Sequence, residues 1–188
     1  LEALISSTLA VAIAEIGDKT QLLSLFLVSR FAGVRNAWLI VAGIVAATLV
    51  NHALSAWLGA WLATAIPENW LRWLVGASFI AIGAWLLIPD KDDDSESGLL
   101  RYGAFLATTV LFFIAEIGDK TQIATVVLAA KYSATVMVII GTTLGMLLAN
   151  VPVIVAGGWI MERVPLQWTR RAAFALFVAL GVITIVAG

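Results

Sequence analysis

The sequence predicts an all-α integral membrane protein whose six transmembrane helices form two inverted three-helix repeats. Three observations carry that prediction. Of the 188 residues, 62% are hydrophobic and only 12% charged, and the mean hydropathy is +1.02. Apolar runs of about twenty residues, the length that crosses a hydrocarbon core of ~30 Å, recur along the whole chain. The hexapeptide Glu15-Ile16-Gly17-Asp18-Lys19-Thr20 returns 101 residues later as Glu116-Ile117-Gly118-Asp119-Lys120-Thr121.

Apolar runs between charged or Pro-containing breaks place the spans near residues 3–29, 37–64, 70–88, 101–130, 134–160 and 168–187. The first is too long for a signal-peptide core and carries Glu15, Asp18 and Lys19 inside it, so it is expected to stay in the mature protein. The repeat extends beyond the hexapeptide. Trp61 and Trp159, Trp70 and Trp168, Arg72 and Arg170, and Gly83 and Gly181 recur at a spacing of 98, and Asn51 and Asn150 at 99. Residues 1–88 therefore form the first repeat, 99–188 the second, and 89–98 an acidic linker. Three spans is an odd number, so the second repeat enters the membrane with the opposite orientation. Secondary transporters built this way hold their substrate at mid-membrane, where the repeats meet.

Lys and Arg counts orient the chain. Arg30, Arg35, Lys91, Arg101, Arg163, Arg170 and Arg171 collect on one side, against Arg72 and Lys131 on the other. The positive-inside rule puts the first group in the cytoplasm, with both termini outside. The linker is then cytoplasmic. Its five acids and one Lys read as a solvated connector, or as a weak cation collector at the cytoplasmic mouth. Asp92, Asp94 and Glu96 alternate as in a calcium loop, but the turn Gly and closing Glu are missing. Trp38, Trp57, Trp61, Trp70, Trp73, Trp85, Trp159 and Trp168 lie mostly toward span ends, as headgroup-level anchors do.

A net charge of −1 excludes a nucleic-acid partner, and the absence of Cys excludes disulfides and thiolate ligands. Charges inside a span cost roughly 2.5–3.5 kcal/mol each on insertion scales, so the two hexapeptides need a reason to be there. On a continuous helix Glu15 and Asp18 share a face, as do Glu116 and Asp119, and Lys19 and Lys120 lie at i+4 from their glutamates as charge-balancing partners. Both motifs fall near the bilayer midplane. If a two-fold axis brings them together, four carboxylates and two ammonium groups leave a formal charge of −2, which one divalent cation balances. Gly17 and Gly118 permit either close helix approach or a local break exposing backbone carbonyls. As a purely structural device, a buried ion pair gains little over apolar packing.

Glu15, Asp18, Glu116 and Asp119 are thus the candidate metal ligands. Gln21, Gln122, Thr20 and Thr121 are possible accessory oxygens beside them, with interhelical hydrogen bonding as their other role. Asn51 and Asn150 are repeated mid-span amides that could line the path. Oxygen ligands suit hard ions such as calcium, magnesium and manganese. His52 reads as a packing residue, and Met146 as packing with a soft contact as its alternative. Gly141 and Gly145 form a G-x-x-x-G pair, with Gly157 and Gly158 further along the same span.

No Walker lysine motif is present and no cofactor is expected, so export of a divalent ion against an inside-negative potential would be driven by exchange for protons or sodium. Crowded carboxylates can take up protons when the metal leaves. A passive divalent-cation channel could use the same carboxylates. An intramembrane aspartyl protease built from Asp18 and Asp119 would need Gly where Ile16 and Ile117 stand. A purely structural membrane protein would show no metal-dependent flux.

Two E-x-G-D-[KR]-[ST] motifs, one in the first helix of each half with an acidic loop between them, resemble those of a cation-transporter family. It includes a bacterial manganese exporter and the Golgi and chloroplast calcium/manganese transporters. The resemblance covers essentially the whole chain, and neither motif departs from the pattern. It implies a non-enzymatic transporter of manganese or calcium, usually exchanged for protons. It also implies that the metal-binding acids are Glu15, Asp18, Glu116 and Asp119. The resemblance, rather than the residues, favours manganese.

Overall fold

The computed structural model describes residues 1–88, 98–156 and 166–187. The acidic linker apart from Gly98, and with it Lys91, lies outside the described residues. So do Gly157, Gly158, Trp159, Arg163 and the side chain of Arg170. The described chain is helical throughout and contains no strand. In chain order the helices are α1 (Glu2–Glu15), α2 (Lys19–Arg30), α3 (Val34–Ala65), α4 (Glu68–Leu86), a 3-10 turn (Gly98–Tyr102), α5 (Ala104–Glu116), α6 (Lys120–Lys131), α7 (Thr135–Ala156) and α8 (Leu166–Ala187).

Two of these, α3 and α7, are long and apolar enough to cross a membrane singly, with α5 and much of α8 as shorter apolar helices. The first and fourth expected spans are each cut in two, α1 from α2 and α5 from α6. The cause is local. Ile16 and Ile117 leave the helix in extended conformation, and Gly17 and Gly118 follow at φ +82° and +74°. That left-handed region costs a residue with a Cβ roughly 1–2 kcal/mol and costs glycine almost nothing. Asp18 and Asp119, again extended, then open α2 and α6.

The helices of residues 1–88 pack chiefly on those of the second half: α1 along α7, α5 and α6 along α3, α4 along α8. Small residues permit this. A Cβ added to Gly141 would sit 2.7 Å from the Leu4 carbonyl oxygen of α1, and one on Gly145 2.8 Å from that of Thr8. Gly43 of α3 faces Thr108 of α5 as Gly141 of α7 faces Ser7 of α1. The α4–α8 crossing is closed by Gly76 against Gly181, and by Phe79 against Phe177, whose rings meet edge to face at 6.0 Å.

Buried apolar residues fall into two clusters. One gathers Ala3 and Ala10 of α1, Ala124 and Val127–Ala130 of α6, and Val75, Phe79 and Phe177 of α4 and α8. The other joins Val11, Leu27, Ile40, Ile44, Leu111, Phe112 and Met146, so Met146 is a packing residue. Trp38, Trp57, Trp61, Trp70, Trp73 and Trp168 are exposed on the outside of the bundle.

Candidate metal centre

Each break frees backbone groups that a continuous helix would pair, and each satisfies one of them with the glutamine that follows its motif. The Gly17 N–H donates to Gln21 Oε1 at 2.7 Å, and the Gly118 N–H to Gln122 Oε1 at 2.6 Å. Gln21 also donates through Nε2 to the Ala149 carbonyl of α7, 2.7 Å away, which fixes the first break against the second half of the chain. The two glutamine oxygens expected as accessory ligands therefore hold the turns that present the acids.

Neither Asp18 nor Asp119 uses its side chain to cap the helix it opens. Ligand oxygens of Glu15, Asp18 and Asp119 instead converge within 4.8 Å of one another, and all three residues are buried. Glu116, fully buried, is not in that triad, but it lies in the electrostatic field of Asp119 and Asp18, as Glu15 does in that of Glu116 and Asp119. Acids of both motifs thus come together in the triad, with Glu116 in their field.

Each glutamate is oriented by a threonine of its own motif. Thr20 Oγ1 donates to Glu15 Oε2 at 2.6 Å, and Thr121 Oγ1 to Glu116 Oε2 at 2.9 Å. The second oxygens, Glu15 Oε1 and Glu116 Oε1, are buried and accept no hydrogen bond from the described residues, and the same holds for Asp119 Oδ2. Anionic oxygens taken out of water without donors are expensive, by several kcal/mol each in practice. A hard cation among Glu15, Asp18 and Asp119 would offset that penalty there, and oxygen donors of this kind match calcium, magnesium or manganese.

The lysines depart from the i,i+4 arrangement expected of a continuous helix, because the helix ends between each Glu and its Lys. Lys19 reaches across to the other motif, Nζ 3.7 Å from Asp119 Oδ1. Lys120 donates to the Ile88 carbonyl at 3.2 Å, with Nζ 5.9 Å from the centroid of the Trp85 ring. Lys19 thus bridges to the acid of the other motif, and Lys120 contacts the end of α4.

Asn51 and Asn150 are both buried. Asn51 Nδ2 donates to the Phe113 carbonyl at 3.2 Å, close to the α5–α6 break. Asn150 accepts from Ser24 Oγ at 2.8 Å and donates to the Met146 carbonyl. Ser24 was not singled out from the sequence, though it and Thr125 are buried hydroxyls at the motif spacing of 101. His52 is fully buried outside the acid triad, and neither ring nitrogen has a hydrogen-bond partner among the described residues.

Comparison with known proteins agrees with this chemistry. The profile of the family described as "Divalent cation/proton antiporter GDT1" matches residues 3–94 and 104–188. A Vibrio cholerae protein named "Putative manganese exporter" is 50% identical over 179 residues, covering 95% of this chain and 88% of its own length. "GDT1-like protein sll0615" of Synechocystis is 25% identical over 205 residues, covering 98% of this chain and 97% of its own length. No solved structure matches the chain. With two profile matches that together span nearly all of its length, the chain belongs to the GDT1 family of divalent cation/proton antiporters, and is a membrane transport protein.

Proposed function

We propose that the protein exports manganese from the cytoplasm across the plasma membrane in exchange for protons, with calcium as the competing substrate and sodium as the competing counter-ion. The transported ion is held by Glu15, Asp18, Asp119 and Glu116. One observation carries the reading: ligand oxygens from both motifs converge within 4.8 Å, and buried oxygens of Glu15, Glu116 and Asp119 are left without hydrogen-bond donors among the described residues. Such a site is incomplete without positive charge, which either a divalent ion or protons can supply. Occupation by one in place of the other is the elementary step of an exchanger.

The similarity to a protein named as a manganese exporter supports manganese over calcium. The organisation into repeats 1–88 and 99–188 is supported by the two separate profile matches and by the meeting of Phe79 with Phe177, which stand 98 residues apart. Two equivalent residues in contact mark a local two-fold axis. An inverted pair with both termini outside the cytoplasm accounts for this and for the Lys and Arg distribution. Proximity of Asp18 and Asp119 is also what an aspartyl protease would need, but that reading leaves Glu15 and the family match without a role.

The test is flux into proteoliposomes containing the purified protein, with and without an imposed pH gradient, beside the Glu15→Gln variant. Manganese accumulation that requires the gradient and disappears in the variant supports the proposal. Flux that only runs down the metal gradient overturns exchange in favour of a channel, and calcium or sodium dependence reassigns the ions.

A further inference from the structure

The two halves of the chain are not used alike in this structure, and the differences all point the same way. The pair α4–α8 is symmetric within itself, since Phe79 meets Phe177 and the two stand 98 residues apart. The crossings of α1 on α7 and α5 on α3 are symmetric too, through the equivalent contacts of Gly141 with Ser7 and Gly43 with Thr108. Were both assemblies centred on one axis, Phe79 and Phe177 would lie equally far from the ends of α2 and α6. Instead Lys131, the last residue of α6, places Nζ 5.8 Å from the Phe79 ring and donates to Thr184 of α8 at 2.8 Å. Arg30, its counterpart at the end of α2, is exposed.

Burial follows the same division. Residues 127–130 of α6 are all buried, whereas of the equivalent residues 26–29 of α2 only Leu27 is. α4 packs on α6 and α8 on α1, with no comparable packing of α8 on α2 or of α4 on α5 among the described residues. Each buried residue of α4 and α8 in the core belongs to the cluster with α1 and α6, and the cluster around α2, α3 and α5 contains none. Tyr132, which follows α6, closes the same end through its hydroxyl, 3.4 Å from Glu2 Oε1. At the break, Lys120 donates to the Ile88 carbonyl of the α4 end, and Lys19 extends to Asp119.

We infer that α4 and α8 move as one unit along the rest of the bundle, and that the structure holds them latched at the α1–α6 end by Lys131. In the opposite state, with the roles of the repeats exchanged, Arg30 takes the place of Lys131. This inference rests on the exchanger reading above and on its inverted repeats. In the orientation proposed there the α1–α6 end faces outward, so this state is closed to the outside. The repeat spacings give the contacts of the other state residue by residue. Lys131 beside Thr184 becomes Arg30 beside Leu86, where the apolar stem of Arg30 packs in place of the hydrogen bond, Lys131 on Phe79 becomes Arg30 on Phe177, and Lys120 on the Ile88 carbonyl becomes Lys19 on the Val186 carbonyl. Sliding is permitted because the α4–α8 faces are apolar, and apolar packing is less tied to one register than hydrogen bonding is.

The chain contains no cysteine, so paired cysteines report without background. Lys131→Cys/Thr184→Cys and Arg30→Cys/Leu86→Cys are prepared in the full chain and treated with a short thiol-specific cross-linker in proteoliposomes. Each unlinked variant is first assayed for metal flux, and only flux-competent protein is scored. Failure of the exchanger reading therefore shows before any linking, as flux in the unsubstituted protein that is absent or does not respond to an imposed pH gradient. If the inference holds, both pairs link in the same preparation, manganese and pH shift their yields in opposite directions, and either link stops flux until it is cleaved. It is overturned if Lys131→Cys/Thr184→Cys links while Arg30→Cys/Leu86→Cys does not under any condition, or if flux continues with either link closed. Should the lysine replacement itself abolish flux, the Arg30→Cys/Leu86→Cys pair decides alone: a link that stops flux until it is cleaved supports the inference, and failure to link under any condition overturns it.

Discussion

Lys19 and Asp119 belong to different copies of one motif, and their side chains meet across the break, Nζ 3.7 Å from Oδ1. The ammonium of one half thus faces the carboxylate of the other, beside a triad whose ligand oxygens lie within 4.8 Å of one another. It is a tethered cation next to the place proposed for a diffusible one. Replacing Lys19 by Met removes that competitor, and a partly exposed pair of this kind is worth on the order of 1 kcal/mol. We expect a manganese KM about fivefold lower, with slower release and a reduced maximal rate. A rise in KM would mean that Lys19 helps hold the ion instead.

The threonines are predicted to matter through the glutamates they orient. Thr20→Val deletes the donor to Glu15 Oε2, and loss of a hydrogen bond to a metal-ligating carboxylate costs roughly 10–100-fold in affinity. Thr20→Ser keeps the hydroxyl and should retain most of the affinity. Isothermal titration with manganese on the two variants distinguishes this from a simple loss of packing, which would weaken both.

Asp119→Asn removes one charge of the triad while preserving size. Manganese-driven flux should be lost, and manganese should no longer raise the thermal unfolding temperature as it does for a protein whose folded state binds it. Retention of metal-dependent stabilisation without flux would assign Asp119 to the exchange step and not to the holding of the ion.

Gly118 sits at φ +74° with nothing within 4 Å of where its Cβ would be. The cost of Gly118→Ala is therefore conformational, about 1–2 kcal/mol, and not steric. The variant should fold with a lowered unfolding temperature and a weakened metal response, because Asp119 is the next residue. Gly145→Val is the contrasting case. Its Cβ would meet the Thr8 carbonyl oxygen at 2.8 Å and Val11 Cβ at 2.8 Å, so the α1–α7 crossing must open. We expect that variant to yield little folded protein on size-exclusion chromatography.

His52 should prove replaceable. Its buried ring nitrogens make no hydrogen bond to the described residues, and substituting an apolar ring for a polar group without partners is neutral to stabilising. His52→Phe is expected to keep its manganese flux and to unfold at an equal or higher temperature. Loss of flux with an intact fold would place His52 on the ion or proton path.

By itself the sequence determined that charges lie inside apolar segments, which acids they are, and that they come in two equivalent copies. It did so because burying charge in a membrane is costly enough that Glu15, Asp18, Glu116 and Asp119 stand out against composition alone. It also supplied the glycines of the breaks, whose left-handed φ only the structure displays. Only the tertiary structure decided which groups meet. A helical reading pairs Lys19 with Glu15 because i and i+4 share a face, but at a break that periodicity ends, and the partner becomes Asp119 from the other half. The same holds for Gln21, whose oxygen serves a backbone N–H four residues back. The unequal docking of α4 and α8 lies beyond any sequence reading, since recurring residues mark equivalent positions and do not say which of the equivalent contacts the packed chain makes.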